Sequence, residues 1–297
     1  MKIGILTSGG DAPGMNSFIA KFVSSVLDKH EIIAFKFGYQ GLVDGTIANL
    51  NPELIENFAH LGGSLIKNSR CEEFKTKKGL KKALTTLKLY QINCLVVLGG
   101  DGTLKGAKEL AKNGVKVICI PSTIDNDLLI TETTLGFDSA VNSAVEAIDK
   151  IKQTMLSHNR VCICEVMGRK GPLIAVNTGI ATNASLTITK IEQTNLKQIV
   201  EKLKGEFKLG KESPLIVVKE NLLDVFELAK NIQNEIDVET RACKIGYVQR
   251  GGSPSVLDRI LASKFAEETA KLISKNNFNK IIIYNKNKVA SKNILEN

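Results

Sequence analysis

The sequence predicts an α/β protein built on a mostly parallel sheet with helices on both faces. Short apolar, β-rich runs alternate with segments of helical spacing along nearly the whole chain. Two of the runs, residues 94–98 and 117–120, are apolar throughout, as strands buried on both faces are. Each leads into a loop of small and acidic residues, Gly99-Gly100-Asp101-Gly102-Thr103 and Pro121-Ser122-Thr123-Ile124-Asp125-Asn126-Asp127. Open α/β sheets bind ligands at the carboxyl ends of their strands. Glycines, a hydroxyl and three aspartates at one such edge suit a phosphorylated nucleotide with a divalent metal.

Taken in order, residues 3–7 read as a strand, 8–14 as a loop, 15–27 as a helix and 31–35 as a second strand. Helix is expected over 80–87, strand over 94–98, helix over 103–111 and strand over 115–120. A long helix follows over 140–155, then a strand over 161–166 ending in Met167-Gly168-Arg169. The remaining alternation is helix 196–209, strand 215–218, helix 222–236, strand 244–248, helix 258–273 and strand 281–284. No repeat of solenoid period is present. Low complexity is confined to the Lys/Asn-rich stretch 275–297, whose last dozen residues are expected to fray.

At 297 residues, 43% of them hydrophobic, the chain suffices for one large or two ordinary domains. Its formal charge of +9 favours anionic partners and is accounted for mainly by a lysine-rich solvated surface. Aromatic residues make up 5%, Trp is absent and no dense basic run occurs, which argues against nucleic acid. The first apolar run is too short for a signal peptide, and no stretch approaches membrane-spanning length. Four of the six cysteines lie in apolar runs, and none has paired CxxC spacing. Cys162 and Cys164 form a CxC on a strand, a poor metal site. A reduced, cytoplasmic setting fits best.

Thr7-Ser8-Gly9-Gly10-Asp11, between a strand and a helix, suits close approach of a phosphate to backbone N–H groups; a plain tight turn is the competing reading. Asp101 is placed to hold Mg²⁺ through its carboxylate, and Gly102 leaves room for phosphates; the alternative is an N-cap aspartate. Thr123, Asp125 and Asp127 suit a base that takes a proton from an attacking alcohol, against an Asx-type turn. Residues 205–212 nearly match a Walker A loop. However, Glu212 replaces the required hydroxyl and the segment ends a helix, so a glycine-terminated helix end is expected. His30, His60 and His158 share no metal spacing. Only six arginines stand against 34 lysines, and Arg70, Arg160, Arg169, Arg241 and Arg250 fall at loop edges or strand ends. A chain so economical with arginine uses it where a planar, bidentate fork matters, as in binding a phosphomonoester.

The ordered set ILTSGGDAPGMN, GYQGL, NSR, VVLGGDGT, PSTIDND, GFDSAVNSAVEAID, SHNR, EVMGR, ETRA and QRGGSPSVLDRILAS resembles the bacterial-type, ATP-dependent phosphofructokinase family over nearly the whole chain. The resemblance implies two similar Rossmann-like, three-layer domains with the active site in the cleft between them. Residues 1–136 with 249–297 would form the larger, nucleotide-binding domain and 137–248 the sugar-phosphate domain. It implies transfer of the γ-phosphoryl of ATP to the 1-hydroxyl of fructose 6-phosphate. Gly10 would line the ATP phosphates, Tyr39 the adenine side, and Arg70 would bridge the phosphates with Cys71 beside it. Asp101 would hold Mg²⁺, with Gly100, Gly102 and Thr103 around the nucleotide. Asp125 would be the base, with Thr123 and Asp127 alongside. Met167, Gly168, Arg169, Glu220 and Arg250 would line the sugar phosphate. Arg160 and Arg241 would reach it from a neighbouring subunit of a homotetramer.

The chain departs from that pattern in places. Tyr247 stands where the family usually has a phosphate-binding His, which puts sugar choice or affinity in question and keeps tagatose 6-phosphate as an alternative. Ser122 replaces a usual Gly. The pyrophosphate-using branch tends to carry Asp and Lys at the positions of Gly102 and Ser122, so ATP is favoured over pyrophosphate. A non-catalytic regulatory paralogue would have lost Asp101, Asp125 or Arg70, and all three are present. The positions that would bind ADP or phosphoenolpyruvate as effectors are largely stripped: Ala20, Ser24, Pro52 and Ala184 or Ser185, with Lys152 and Lys211 remaining. The chain also ends somewhat early for the family.

Overall fold

The structure, a computed structural model, describes residues 1–48 and 50–296. In chain order the elements begin β1 (Lys2–Thr7), α1 (Met15–Val26), β2 (Glu31–Phe35), α2 (Tyr39–Asp44), β3 (Ile47–Ala48), α3 (Pro52–Phe58), α4 (Lys77–Leu89), β4 (Cys94–Gly99), α5 (Asp101–Lys112) and β5 (Val117–Pro121). There follow α6 (Phe137–Leu156), β6 (Val161–Val166), α7 (Leu173–Ala181), β7 (Leu186–Ile188), α8 (Leu196–Lys208), β8 (Leu215–Lys219), α9 (Val225–Ile236), β9 (Thr240–Lys244), α10 (Val256–Ser274), β10 (Lys280–Asn285) and β11 (Lys288–Asn293). The chain divides into two compact units, residues 1–139 with 252–297, and residues 140–251. Both crossings lie three residues beyond the positions expected from the sequence.

The first unit holds a seven-stranded sheet in the order β11-β10-β5-β4-β1-β2-β3. Its five inner strands are parallel, and the edge strands β3 and β11 run antiparallel to their neighbours. Alternation of side chains sends Leu6, Phe35, Leu95, Val97, Val117 and Cys119 into one core with buried residues of α2, α4 and α5. The intervening residues Ile5, Val96 and Ile118 are equally buried, so both sheet faces are covered, as the continuous apolar runs require. Helices α1, α3 and α10 pack together, and the stacked rings of Phe18 and Phe22 anchor the buried stripe of α1.

The second unit is a four-stranded, wholly parallel sheet, β7-β8-β6-β9. Val161, Ile163, Ile216 and Val218 meet Ile199, Leu203, Leu228 and Ile232 from α8 and α9 in its core. Side chains of Asn195 and Asp224 cap α8 and α9 by accepting from Gln198 N and from Phe226 N and Glu227 N.

Several expectations are corrected. The strand placed over 244–248 is instead β9, followed by a 3₁₀ turn, Gly246–Arg250. Thr240 to Lys244 pairs residue for residue with β6, and Gly246, at φ 56°, turns the chain away. Helix α9 starts at Val225 rather than 222 because Asp224 is its cap. The last dozen residues do not fray throughout: Lys288–Asn293 pairs with β10, while Asn297 lies outside the described residues. Helix α7 and strand β7 carry no expectation from the sequence. The Walker-like segment does end a helix, with Leu209 closing α8 and Gly210 at φ 80°. Cys162 and Cys164 are buried free thiols, and no metal-binding cluster of three or more ligands occurs among the described residues.

One buried carboxylate organises the loop after β5. Asp258, in the first turn of α10 and 1% exposed, accepts from Gly136 N (2.9 Å), Ser139 N (2.8 Å) and Ser139 Oγ (2.6 Å). Ser139 Oγ in turn accepts from Ser255 N (2.9 Å). Burial is the main cause of its pKa and pushes it up, against the lowering pull of these donors. Asp258→Ala leaves several buried donors without an acceptor, at about 1–3 kcal/mol for each one, and should lower the melting temperature markedly. Because the folded pKa lies above the unfolded one, the Asp258 contribution is fully present below the ordinary carboxylate value and declines as pH rises through the folded value. Thermal melts of the wild type and Asp258→Asn across that range should show the wild-type advantage shrinking with rising pH.

Candidate active site

Strands β5, β4 and β1 lie side by side and parallel, so the loops after them share one edge of the sheet. Backbone bonds continue past the strand ends: Ser8 N donates to Leu98 O (3.0 Å) and Ser122 N to Gly99 O (3.0 Å). Thr103, in the first turn of α5, donates its hydroxyl to Ser8 O at 3.0 Å. A Cβ at Gly99 would stand 2.5 Å from Thr103 Oγ1 and 2.6 Å from Ser8 O, so glycine is required for this approach. At Gly102 the same Cβ would meet nothing within 4 Å. The start of α5 therefore presents open space at a helix N-terminus, where an anion is favoured by unbonded N–H groups and by the helix dipole.

The loop carrying Arg70 is tied to the loop after β1. Gly9 N donates to Ser69 O (3.3 Å), and Asn68 Nδ2 donates to Gly10 O (3.0 Å). Gly9 takes φ 82° to make this turn. Arg70 and Gly10 are consequently both exposed on the same joined pair of loops.

Beyond β5, Thr123 Oγ1 accepts from Asp125 N (3.2 Å), and Thr123 O accepts from Thr134 Oγ1 (2.6 Å). Asn126 sits at φ 48° and donates from Nδ2 to Glu132 O (3.0 Å). Asp125 and Asp127 thus flank a fixed left-handed residue, half-buried at the edge. Asp101 is half-exposed and pairs with Lys105 Nζ at 2.7 Å, one turn along α5. It is the acidic residue of the first turn of that helix. Mg²⁺ is commonly held by one or two carboxylates together with substrate phosphates and water, and the half-exposed Asp101 carboxylate fits such a role.

Three residues expected around the nucleotide lie in the packing beneath the edge. Tyr39 is 5% exposed, stacks on Phe74 (4.1 Å between centroids) and donates its hydroxyl to Thr103 O (2.7 Å). Cys71 is buried alongside, and its Sγ accepts from Phe74 N. Burial is the leading cause raising the pKa of both groups. The Thr103 side chain is likewise buried. Gly100, which a Cβ would bring to 3.3 Å from Thr123, is half-buried between the two acidic loops.

In the second unit, Met167, Gly168 and Arg169 follow β6. Glu220, after β8, accepts from Gly168 N (3.0 Å) and Arg169 N (2.6 Å) through one oxygen, which holds Arg169 at φ 51° with its side chain exposed. Gln249, fully buried, accepts from Met167 N at 2.7 Å. The sequence reading passed over it, although the QRGG motif contains it. Arg250 lies over the Tyr247 ring at 5.5 Å, and Tyr247 is 79% exposed. Arg160 and Arg241 lie together at the opposite, amino end of this sheet, before β6 and in β9.

Three joined loops at one carboxyl edge, with an open helix N-terminus and two aspartates on a fixed turn, suit an α/β enzyme that handles phosphoryl groups. The chain belongs to the phosphofructokinase family, whose sequence model matches residues 2–273. It is 40% identical over 295 residues to the ATP-dependent 6-phosphofructokinase of Alkaliphilus metalliredigens and 41% identical to that of Clostridioides difficile. Each match covers 99% of this chain and 92% of the relative. Among solved structures, phosphofructokinase of Pichia pastoris in the T-state superposes with a TM-score of 0.90 at 29% identity, and that of Saccharomyces cerevisiae with 0.88 at 30%. The chain spans 35% and 44% of those two chains, respectively. A pyrophosphate-dependent phosphofructokinase from Nitrosospira multiformis shares the fold at 17% identity and a TM-score of 0.87.

Two glycine variants should separate the framework from the open space beside it. Gly99→Ala forces Ser8 O and Thr103 aside and should destabilise by about 1–3 kcal/mol. Gly102→Ala meets no atom and removes a helix glycine, so stability should hold or rise by up to about 1 kcal/mol. Denaturant melts check both, and nucleotide titration of the Gly102→Ala protein should show weakened binding despite its intact fold.

Proposed function

We propose that this protein is a Mg²⁺-dependent kinase that transfers the γ-phosphoryl of ATP to the 1-hydroxyl of fructose 6-phosphate, giving fructose 1,6-bisphosphate and ADP. The observation that carries the reading is the likeness, over 99% of the chain, to ATP-dependent 6-phosphofructokinases. The open α5 N-terminus beside the Thr123–Asp125 turn agrees with it. Gly102 and Ser122 are small and uncharged, which favours ATP over pyrophosphate as donor.

Phosphoryl transfer depends on in-line positioning and charge neutralisation more than on covalent chemistry. Gly10, Gly100 and Gly102 let the ATP phosphates approach backbone N–H groups. Arg70, on the loop tied to Gly9 and Gly10, supplies a planar cation to them. Asp101 would hold Mg²⁺, which would supply neutralisation of charge on the phosphate oxygens. Asp125 takes the proton from the attacking hydroxyl, and the Asp125 N to Thr123 Oγ1 bond fixes its backbone. Asp127 adds a second carboxylate to the same turn. On the second unit Met167, Gly168 and Arg169 form the sugar-phosphate loop braced by Glu220, with Arg250 and Tyr247 nearby. Tyr247 offers one hydrogen bond where a cationic His would offer charge, so it tunes affinity for the sugar phosphate.

Arg160 precedes β6 and Met167 follows it, seven residues along an extended strand. At about 3.3 Å per residue they stand about 23 Å apart, too far for one sugar phosphate to touch both. As the family resemblance implies, Arg160 and Arg241 would act on the substrate of another copy of a homotetramer, and their separation from Met167 agrees with this. All six cysteines are free and five are buried, in keeping with a reducing, cytoplasmic setting. No described helix is long and apolar enough to cross a membrane.

A coupled assay with fructose 6-phosphate and Mg²⁺, comparing ATP with pyrophosphate, tests the reading: turnover with ATP is expected, and its absence in folded, assembled protein would overturn it. Asp125→Asn should lower kcat by roughly 10²–10⁴-fold while the KM values for both substrates change little. Effector sensitivity should be slight. Lys152 is engaged by Thr182 O (3.1 Å) and Lys211 by Glu206 (3.3 Å), and neither is backed by an arginine fork. Saturation curves for fructose 6-phosphate should barely shift with ADP or phosphoenolpyruvate.

A further inference from the structure

At the amino end of the second sheet, one carboxylate serves two arginines. Glu239 lies directly before β9, and its carbonyl accepts from Val161 N at 2.9 Å, which continues the β6–β9 ladder by one step. Its side chain reaches both neighbours. Arg160 Nε donates to Oε2 at 2.5 Å, and Arg241 Nη2 donates to Oε1. Each guanidinium gives up one of five N–H donors and retains the others for a further anion.

This cluster is costly without its centre. Parallel neighbours lie about 4.8 Å apart, so two cations on adjoining strands repel unless an anion sits between them. Glu239 is such an anion. The Arg160 bond, then the charges of Arg160, Arg241 and His158, hold its carboxyl below the ordinary range, so it stays charged under working conditions. These side chains are partly exposed, at 24% for Arg160, 55% for Arg241 and 35% for Glu239. Exposed pairs of this kind add little to stability. The value of the arrangement lies in orientation, because a bidentate fork binds a phosphate only when aimed.

We propose that Glu239 is a positioning residue that holds Arg160 and Arg241 as one preorganised, phosphate-binding pair. The inference rests on the reading that these arginines take the sugar phosphate of a neighbouring copy. It also sets a sign. A negative charge beside a phosphate, considered alone, weakens binding, so its removal would tighten it. Positioning demands the reverse.

The experiment compares the wild type with Glu239→Gln in the assembled protein. Gln keeps an acceptor for one arginine and loses the charge and the second acceptor. The KM for fructose 6-phosphate should rise roughly tenfold or more, in keeping with the loss of a charge-assisted hydrogen bond. The KM for ATP, kcat and the melting temperature should stay near wild type. In an Arg160→Ala background the same substitution should have a much smaller effect, because the pair is already broken. A KM for fructose 6-phosphate that is unchanged or lower, in a variant that remains folded and assembled, overturns the proposal. So does dissociation of Glu239→Gln, which would assign the residue to assembly instead. Calorimetric titration with fructose 6-phosphate separates the two levels of inference. Wild-type binding without turnover overturns the functional reading alone, and the Glu239→Gln affinity still decides the positioning role. A wild type that neither binds nor turns over this sugar phosphate overturns both.

Discussion

The parallel adjacency of β5, β4 and β1 is the constraint on which the candidate active-site edge of this protein depends. It brings three loops that are far apart in sequence to one edge, and the pairing does not stop where the strands do. Ser8 and Ser122 extend the ladder by one bond each, and Thr103 ties the start of α5 back to Ser8. Gly99 is the residue that makes such close approach possible, since any side chain there would strike both Ser8 and Thr103. Asp101 and Gly102 are thereby set on a rigid helix start rather than on a free loop, and the Asp125 turn is anchored one strand away. A site held by sheet register has little freedom to drift, which is what charge stabilisation at a transferring phosphoryl group requires.

A similar economy governs the second unit, where β6 acts as a spacer. Its carboxyl end carries Met167, Gly168 and Arg169, and its amino end carries Arg160. At each end a glutamate from a neighbouring strand does the aligning. Glu220 gathers two backbone N–H groups on one oxygen, and Glu239 gathers two guanidinium groups on its two oxygens. The length of the strand keeps these two sets of chemistry apart within a chain.

Buried polar groups supply the support behind the edges. Tyr39 passes its hydroxyl to the backbone of Thr103 while its ring stacks on Phe74, so the floor beneath α5 is both packed and hydrogen-bonded. Asp258 accepts three donors from the loop after β5. Such groups are expensive to desolvate and are retained where every partner is met. Tyr39 supports the start of α5 through this bond to Thr103, whose own hydroxyl is bonded to Ser8.

Much of the framework was legible in the chain itself. Continuous apolar runs located β4, β5 and β6 to within a residue or two, because strands buried on both faces leave no other pattern. The positions of Gly99-Gly100-Asp101 and Thr123-Ile124-Asp125 at the carboxyl ends of β4 and β5 were legible, because each follows a continuous apolar run. Local pattern failed where partners came from elsewhere. β9 was misplaced by four residues because Thr240-Arg241-Ala242-Cys243-Lys244 reads as an ordinary polar stretch until β6 lies beside it. β11 looked like a fraying tail until β10 offered its edge. Burial of Tyr39, the acceptor role of Gln249 and the bridging of Arg160 to Arg241 by Glu239 had no sequence signal beyond membership of a motif. The sequence by itself determined the α/β class, the strands and the residue types at their ends, since these follow from periodicity and composition over short spans. Only the tertiary structure decided which of those residues face outward and which are aimed by another, since strand order and side-chain pairing depend on contacts between distant segments.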